Sequence, residues 1–140
     1  MSYWLIPVLI IVALLVVSFY KRYKMIKNID SNAADSVNLI ILKDATFKNQ
    51  INSGVTLIDF WAPWCMPCKI QGPIVSEVAD ELKDKAAICK LNIDENKKIA
   101  GELGIRSIPT IIIFKNGKIA NQLVGVKSKS ALLKAVKAQL

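Results

Sequence analysis

The spacing of apolar and polar residues changes several times along this chain, and each change marks an element. The first block, Trp4 to Tyr20 (WLIPVLIIVALLVVSFY), is apolar all round and uncharged. A bilayer-spanning helix takes roughly 17 to 25 apolar residues, so this block is long enough for one pass. Tyr3 and Trp4 at one end, with Phe19, Tyr20 and Tyr23 at the other, sit where interfacial aromatics are favoured. Pro7 falls in the first turns, where a missing amide donor costs least. After this block, Asn28 to Ser36 (NIDSNAADS) is small, polar and aperiodic, the pattern of a flexible linker.

From Val37 onward short apolar runs alternate with stretches whose apolar residues recur at three- and four-residue steps. VNLIIL (37–42) predicts a strand. Asp44 is placed to cap a helix that buries Phe47 and Ile51 and ends at Asn52-Ser53-Gly54. VTLIDF (55–60) predicts a buried strand. Ile70, Ile74, Val75, Val78, Ala79 and Leu82 then recur at three- and four-residue steps, so a helix runs from about Cys65 to Leu82, with Pro73 expected to kink it. Ala86–Asn92 predicts a strand. Asp94 is placed to cap a short helix through Leu103, stopped by Gly104. Ile111–Phe114 and Lys118–Val124 predict two strands joined by the hairpin pair Asn116-Gly117, with Gly125 ending the second. Ser128 or Ser130 caps a last helix with Leu132, Leu133, Val136 and Leu140 on one side. The order βαβαβαββα implies an α/β fold with a central mixed sheet, an antiparallel edge and helices on both faces. The chain thus divides into a transmembrane anchor with a basic flank (1–27), a linker (28–36) and one domain (37–140).

Composition adjusts this picture in three places. The hydrophobic fraction of 53% is high for a soluble domain, and the N-terminal block supplies most of the excess. Of the net charge of +8, Lys21, Arg22, Lys24 and Lys27 follow the apolar block directly. Positive residues favour the cytoplasmic side, which puts the N-terminus outside and the domain in the cytoplasm. A cleaved signal peptide is the competing reading. No Lys or Arg precedes the apolar run, although Val16-Val17-Ser18 resembles a weak cleavage site and leaves removal of residues 1–18 open. The other positive charges are spread without an arginine cluster or a basic-aromatic stripe, so no nucleic-acid partner is expected. Three cysteines and no histidine make neither a disulfide framework nor a zinc site, so no metal is expected.

The candidate chemistry lies in Trp61-Ala62-Pro63-Trp64-Cys65-Met66-Pro67-Cys68-Lys69. Two thiols three positions apart fall where a strand turns into a helix. Cys65 at the helix N-terminus would have its thiolate stabilised by free amides and the macrodipole. Asp59 is the odd residue in an apolar strand, and burial should raise its pKa. Cys89, also in a strand, is most simply a small core hydrophobe. Glu77, Asp80, Glu81 and Lys83 read as a solvated helix face, and so do Lys127, Lys129, Lys134 and Lys137, which are also suited to face anionic lipid.

These residues resemble the thioredoxin family over the whole of 37–140. The likeness rests on Asp59-Phe60-Trp61-Ala62, Trp64-Cys65-x-Pro67-Cys68-Lys69, Pro73, Lys90-Leu91-Asn92-Ile93-Asp94, Gly104-Ile105-Arg106-x-Ile108-Pro109-Thr110, Phe114-Lys115-Asn116-Gly117 and Val124-Gly125, in the family's order. One departure is Met66-Pro67, where the family usually has Gly-Pro; this pair tunes the redox potential and here brings an oxidisable side chain to the site.

The resemblance implies a thioredoxin fold and a protein-disulfide reductase working by dithiol–disulfide exchange. Cys65 would be the nucleophile and Cys68 the resolving thiol, the two forming a disulfide when oxidised. Asp59 would move protons for Cys68, with Lys90 as its partner. Pro109 would be a cis-proline facing the cysteines. Trp64, Met66, Pro67, Ile108, Pro109 and Gly125 would line the groove for substrate, while Trp61 packs beneath it. The implied partners are disulfide-containing proteins and a flavin-dependent thioredoxin reductase, with membrane lipid around residues 4–20 and no cofactor beyond the disulfide. Two other readings stand beside this one: an extracytoplasmic oxidoreductase serving cytochrome maturation or isomerisation, and a redox-silent binding subunit.

Overall fold

The computed structural model describes residues 3–29 and 35–140, without the side chains of residues 25–29. It forms two compact units, Met1–Ala33 and Ala34–Leu140. Among the described residues, the first holds a single helix, α1 (Leu5–Ile29). Its stretch Leu5–Lys24 has a mean hydropathy of 2.1 and buries no residue against protein. The helix runs past the apolar block through the basic flank, where Lys, Arg and Met are good helix formers. It takes in Asn28 and Ile29 of the expected linker; residues 30–34 of that linker lie outside the described residues.

The second unit contains β1 (Leu39–Ile41), α2 (Asp44–Ile51), β2 (Val55–Trp61), α3 (Met66–Leu82), β3 (Ala87–Asn92), α4 (Lys97–Glu102), β4 (Thr110–Lys115), β5 (Lys118–Val124) and α5 (Lys129–Lys137). This is the βαβαβαββα order expected from the sequence. The five strands lie in the order β1-β3-β2-β4-β5. β3 pairs parallel to both β1 and β2, whereas β4 pairs antiparallel to β2 and to β5. The apolar runs of β2 and β4 occupy the centre, buried on both faces, as crossover helices on each side require.

Because strand side chains alternate, β2 divides its residues between two cores. Val55 and Leu57 join Ile88, Ile111 and Ile113 against Val75, Val78 and Leu82 of α3 and Leu132 and Val136 of α5. Ile58 and Phe60 join Cys89, Leu91, Ile112 and Phe114 against Phe47 and Ile51 of α2 and Ile99 of α4. The alternation puts Asp59 on the α3 face, in register with Lys90 on β3 and Ile111 on β4.

Two expected caps are corrected by tertiary contacts. Asp44 does not cap its own helix; Lys43 holds that place, and its backbone N–H donates to Thr46 Oγ1 at 3.1 Å. Nor does Asp94 cap α4, whose capping position is Asn96. The starts of α2 and α4 are neighbours and serve each other instead. Asp44 Oδ1 accepts from Ile99 N at 3.0 Å, and Asn96 Oδ1 accepts from Asp44 N at 2.8 Å. Two sets of orphan amides are met by side chains distant in sequence, which a local rule does not register. At the other end Ser128 Oγ accepts from Ala131 N, so Ser128 is the cap of α5. Leu132 and Val136 are buried and Leu133 half-buried, but Leu140 lies beyond α5 and is exposed. The hairpin is as expected: Asn116 has φ 50° and Gly117 φ 82°, the positive pair that a tight two-residue turn requires.

Candidate active site

The turn from β2 into α3 sets the two thiols. Cys65 is extended (φ −86°, ψ 107°) and caps α3, its Sγ accepting from Cys68 N at 3.2 Å. Pro67 lies in the first turn, where its missing N–H leaves nothing unpaired. One helical turn brings the sulfurs together. They form a disulfide with a Cα–Cα distance of 5.3 Å. Each cysteine is only 4% exposed, tucked beside Ala62, Trp61, Ile93 and Ile108. Around them the surface is apolar and open, with Trp64 67% and Met66 52% exposed.

A second loop comes up beside Cys65. The Ile108–Pro109 peptide is cis, and Ile108 O lies 3.7 Å from Cys65 Sγ. Pro109 O accepts from Gly125 N at 2.9 Å, which binds the end of β5 to this loop. Gly125 has φ 83°, a conformation that disfavours any side chain there. Trp64 and Met66 flank Cys65 along the chain, and Ile108 meets it from the second loop, which Gly125 holds through Pro109.

Asp59 lies beneath, 1% exposed, and its Oδ1 has no hydrogen-bond partner. Burial is the main cause that pushes its pKa up to about 7; the Lys90 ammonium pulls it down and the Asp35 carboxylate pushes it up. Cys68 leads the inward stripe of α3, followed by Gln71, Val75, Val78 and Ala79, so the thiol turns towards the sheet face that carries Asp59. The Lys90 ammonium is held elsewhere. Its Nζ lies 2.5 Å from Asp35 Oδ2 and 4.8 Å above the Trp61 ring. Among the described residues, Asp35 is the one carboxylate within ion-pair distance of Lys90.

A model of the family described as thioredoxin matches residues 38–138. The chain belongs to the thioredoxin family. It is 48% identical over 101 residues to the chloroplastic M-type thioredoxin of Chlamydomonas reinhardtii, covering 71% of this chain and 72% of that one. With a thioredoxin of Chlorobaculum thiosulfatiphilum the identity is 46% over 95 residues, 66% of this chain and 88% of the other. With a thioredoxin of Bacillus subtilis it is 43% over 97 residues, 69% and 93%. Thioredoxins are protein-disulfide oxidoreductases that need no cofactor beyond their redox-active disulfide, and Cys65–Cys68 is that disulfide here.

Three residues that shape this thioredoxin site have only a faint sequence signal. Gln71 is fully buried, and its side chain meets the Lys127 backbone twice: Oε1 accepts from Lys127 N at 2.7 Å and Nε2 donates to Lys127 O at 3.3 Å. It ties the chain just after Gly125 to α3. A glutamine in the inward stripe of an amphipathic helix is the visible signal. Asp94 Oδ2 accepts from Trp64 Nε1 at 3.0 Å and orients the exposed indole. Asp35, from the polar segment ahead of β1, pairs with Lys90, and nothing in its local sequence marks that contact.

Proposed function

We propose that this chain is a membrane-tethered protein-disulfide reductase of the cytoplasmic face. The observation that carries the exchange chemistry is Cys65 at the N-cap of α3, with the Cys68 amide donating to its sulfur. Once the disulfide is reduced, the same amide and the helix N-terminus stabilise a Cys65 thiolate. That thiolate attacks one sulfur of a substrate disulfide. A Cys65–substrate bond forms and the other substrate sulfur leaves as a thiolate. Cys68 then gives its proton to the Asp59 carboxylate and attacks Cys65 Sγ. The Cys65–Cys68 bond forms, the second substrate sulfur leaves, and protons from Asp59 and solvent complete the two thiols. Two electrons pass from dithiol to substrate, and a thioredoxin reductase of the kind that serves the family restores the dithiol. The apolar groove of Trp64, Met66, Pro67, Ile108, Pro109 and Gly125 holds the substrate chain beside Cys65, and the Ile108 backbone offers it a pairing edge.

Tethering rests on α1, whose apolar surface is unburied over a length fit to cross a bilayer. Lys21, Arg22, Lys24 and Lys27 after it favour the cytoplasmic side for the domain. A signal sequence has the same apolar character near the N-terminus, and its removal would release an extracytoplasmic oxidoreductase. One experiment covers both parts. Full-length Cys68→Ser is expressed, membranes are isolated, and thiols are blocked. Partner proteins are expected on Cys65 in the membrane fraction, released by dithiothreitol and shielded from protease added to intact cells. Absence of any trapped partner would count against exchange activity; a soluble or externally digested domain would count against the cytoplasmic tether.

A further inference from the structure

The domain begins with a strap. Ser36 N donates to Ser76 Oγ at 3.3 Å, and Ser36 Oγ donates to Asp80 Oδ1. Asn38 Nδ2 reaches the same Asp80 oxygen at 2.8 Å, and Asn38 N donates to Ser36 Oγ at 3.0 Å. Hydrogen bonds from Ser36 first, then Asn38, hold the Asp80 carboxyl below its ordinary value. Residues 36–38 are thus pinned to α3 before β1 starts. The pinning fixes the residue just ahead of them, Asp35, beside Lys90.

Among the described residues, Lys90 is the one cation that opposes the burial of Asp59. It stands opposite Asp59 in the β2–β3 register, and its stem runs along the Trp61 ring. A lysine stem is long and flexible, so its ammonium sits where the nearest carboxylate holds it. That carboxylate is Asp35 at 2.5 Å, while Asp59 Oδ1 is left unpartnered. We propose that Asp35 is a positioning residue for the resolving step: it holds the Lys90 ammonium in an ion pair, keeps it from neutralising Asp59, and so leaves the buried carboxylate a better acceptor for the Cys68 proton. The proposal rests on the reading of Asp59 as that acceptor.

The other groups packed around Asp59 do not supply this effect. Ile111, its β4 partner in register, is apolar. From α3 the inward residues are Cys68, Gln71 and Val75, of which only the thiol titrates, and it is the proton donor itself. Asp35 acts in two ways of the same sign. Its own negative charge raises the affinity of Asp59 for a proton, and its hold on Lys90 weakens the pull that lowers it.

The test uses the reduced full-length chain in mild detergent and an aryl disulfide whose thiol product is coloured. A first burst of colour reports attack by Cys65, and a second reports resolution by Cys68. In Asp35→Asn the pH midpoint of the second burst is expected to fall by roughly half a unit or more, as loss of one nearby charge implies, with the first burst unchanged. Asp35→Glu is expected to restore the wild-type midpoint. Asp59→Asn is run alongside and should remove the pH-dependent limb of the second burst. If it does so while Asp35→Asn leaves the midpoint in place, the role of Asp35 is overturned and the acceptor reading stands. If Asp59→Asn leaves the profile intact, both fall. An equal slowing of both bursts by Asp35→Asn at every pH marks a merely structural contact and overturns the proposal.

Discussion

Each face of the central sheet buries one titratable group near the middle of β2 and β3. On the α2–α4 side, Cys89 lies among Ile58, Phe60, Leu91 and Ile112, opposite Ile58 in the strand register. On the α3–α5 side, one step along the same strands, Asp59 stands opposite Lys90. Both groups are essentially inaccessible, and burial is the main cause that raises the pKa of each. The outcomes differ because the ordinary values differ. The thiol is pushed up to about 12 and stays neutral at any physiological pH. The carboxyl is pushed only to about 7, where its proton comes and goes. Charged neighbours sharpen the contrast: burial acts alone on Cys89, whereas Lys90 and Asp35 act on Asp59 in opposite directions. The same desolvation yields an inert core residue on one face and a carboxyl that titrates near neutral pH on the other.

The largest expected effect of this difference is on stability against pH. A carboxyl that binds its proton more tightly when folded stabilises the fold only while protonated. That contribution is full below the ordinary value of 3.8 and is lost as pH rises through about 7. Integrated to pH 8, the loss is on the order of 4 kcal/mol as an upper figure. Urea unfolding of the oxidised chain in mild detergent, followed by tryptophan fluorescence, measures it. Asp59→Asn is expected to gain stability relative to wild type as pH rises from 4 to 8. A constant difference across that range would mean that Asp59 is not desolvated in solution, and the contrast between the faces would collapse.

A smaller effect concerns how the polar face is closed. Gln71→Ala deletes both hydrogen bonds to the Lys127 backbone. A half-buried backbone amide and carbonyl lose their partners, at a cost of about 1 kcal/mol. The segment after Gly125 loses its tie to α3, so KM for a protein disulfide should rise several-fold while kcat stays within about twofold, the pattern of lost uniform binding. Steady-state reduction of a protein disulfide reads both constants. A fall in kcat at constant KM would instead mean that Gln71 acts on the exchange step.

The fold was legible because its signals are local. Short continuous apolar runs marked β2 and β4, the 3.6-residue stripe marked α3, and Asn116-Gly117 marked the hairpin. The thiol pair was legible for the same reason: cap, turn and helix lie within a few residues of Cys65. Asp59 was visible as a charge in an apolar strand, and its alternation assigns it to the α3 face. What stayed hidden are side chains whose partners lie far away in sequence. Asp44 and Asn96 cap each other's helices, Asp94 serves Trp64, and Asp35 serves Lys90. No local pattern distinguishes these from ordinary cap or linker residues, because the energy that selects them comes from contacts made only once the sheet has formed. Lys90 shows the point from the other side. Its register opposite Asp59 follows from the pairing of β2 with β3, but the direction of its ammonium depends on Asp35.

The smallest expected effect tests the quiet face. Cys89→Ala removes one buried sulfur from a cluster of Ile58, Phe60, Leu91 and Ile112. The lost packing should cost about 1 kcal/mol, the low end for a large-to-small core change, because the group removed is a single atom. No polar partner is stranded, so nothing beyond the cavity is lost. Activity should stay at the wild-type level, since the thiol neither ionises nor reaches the groove. The same reasoning predicts that an alkylating agent at pH 8 labels Cys89 only when the chain unfolds. In the folded, reduced protein it should label Cys65 first, because a thiolate at a helix N-terminus reacts where a desolvated thiol does not. Labelling of Cys89 at a rate near that of Cys65 would show that the α2–α4 face opens under native conditions. Cys89 would then join the redox chemistry, and desolvation would no longer separate the two faces.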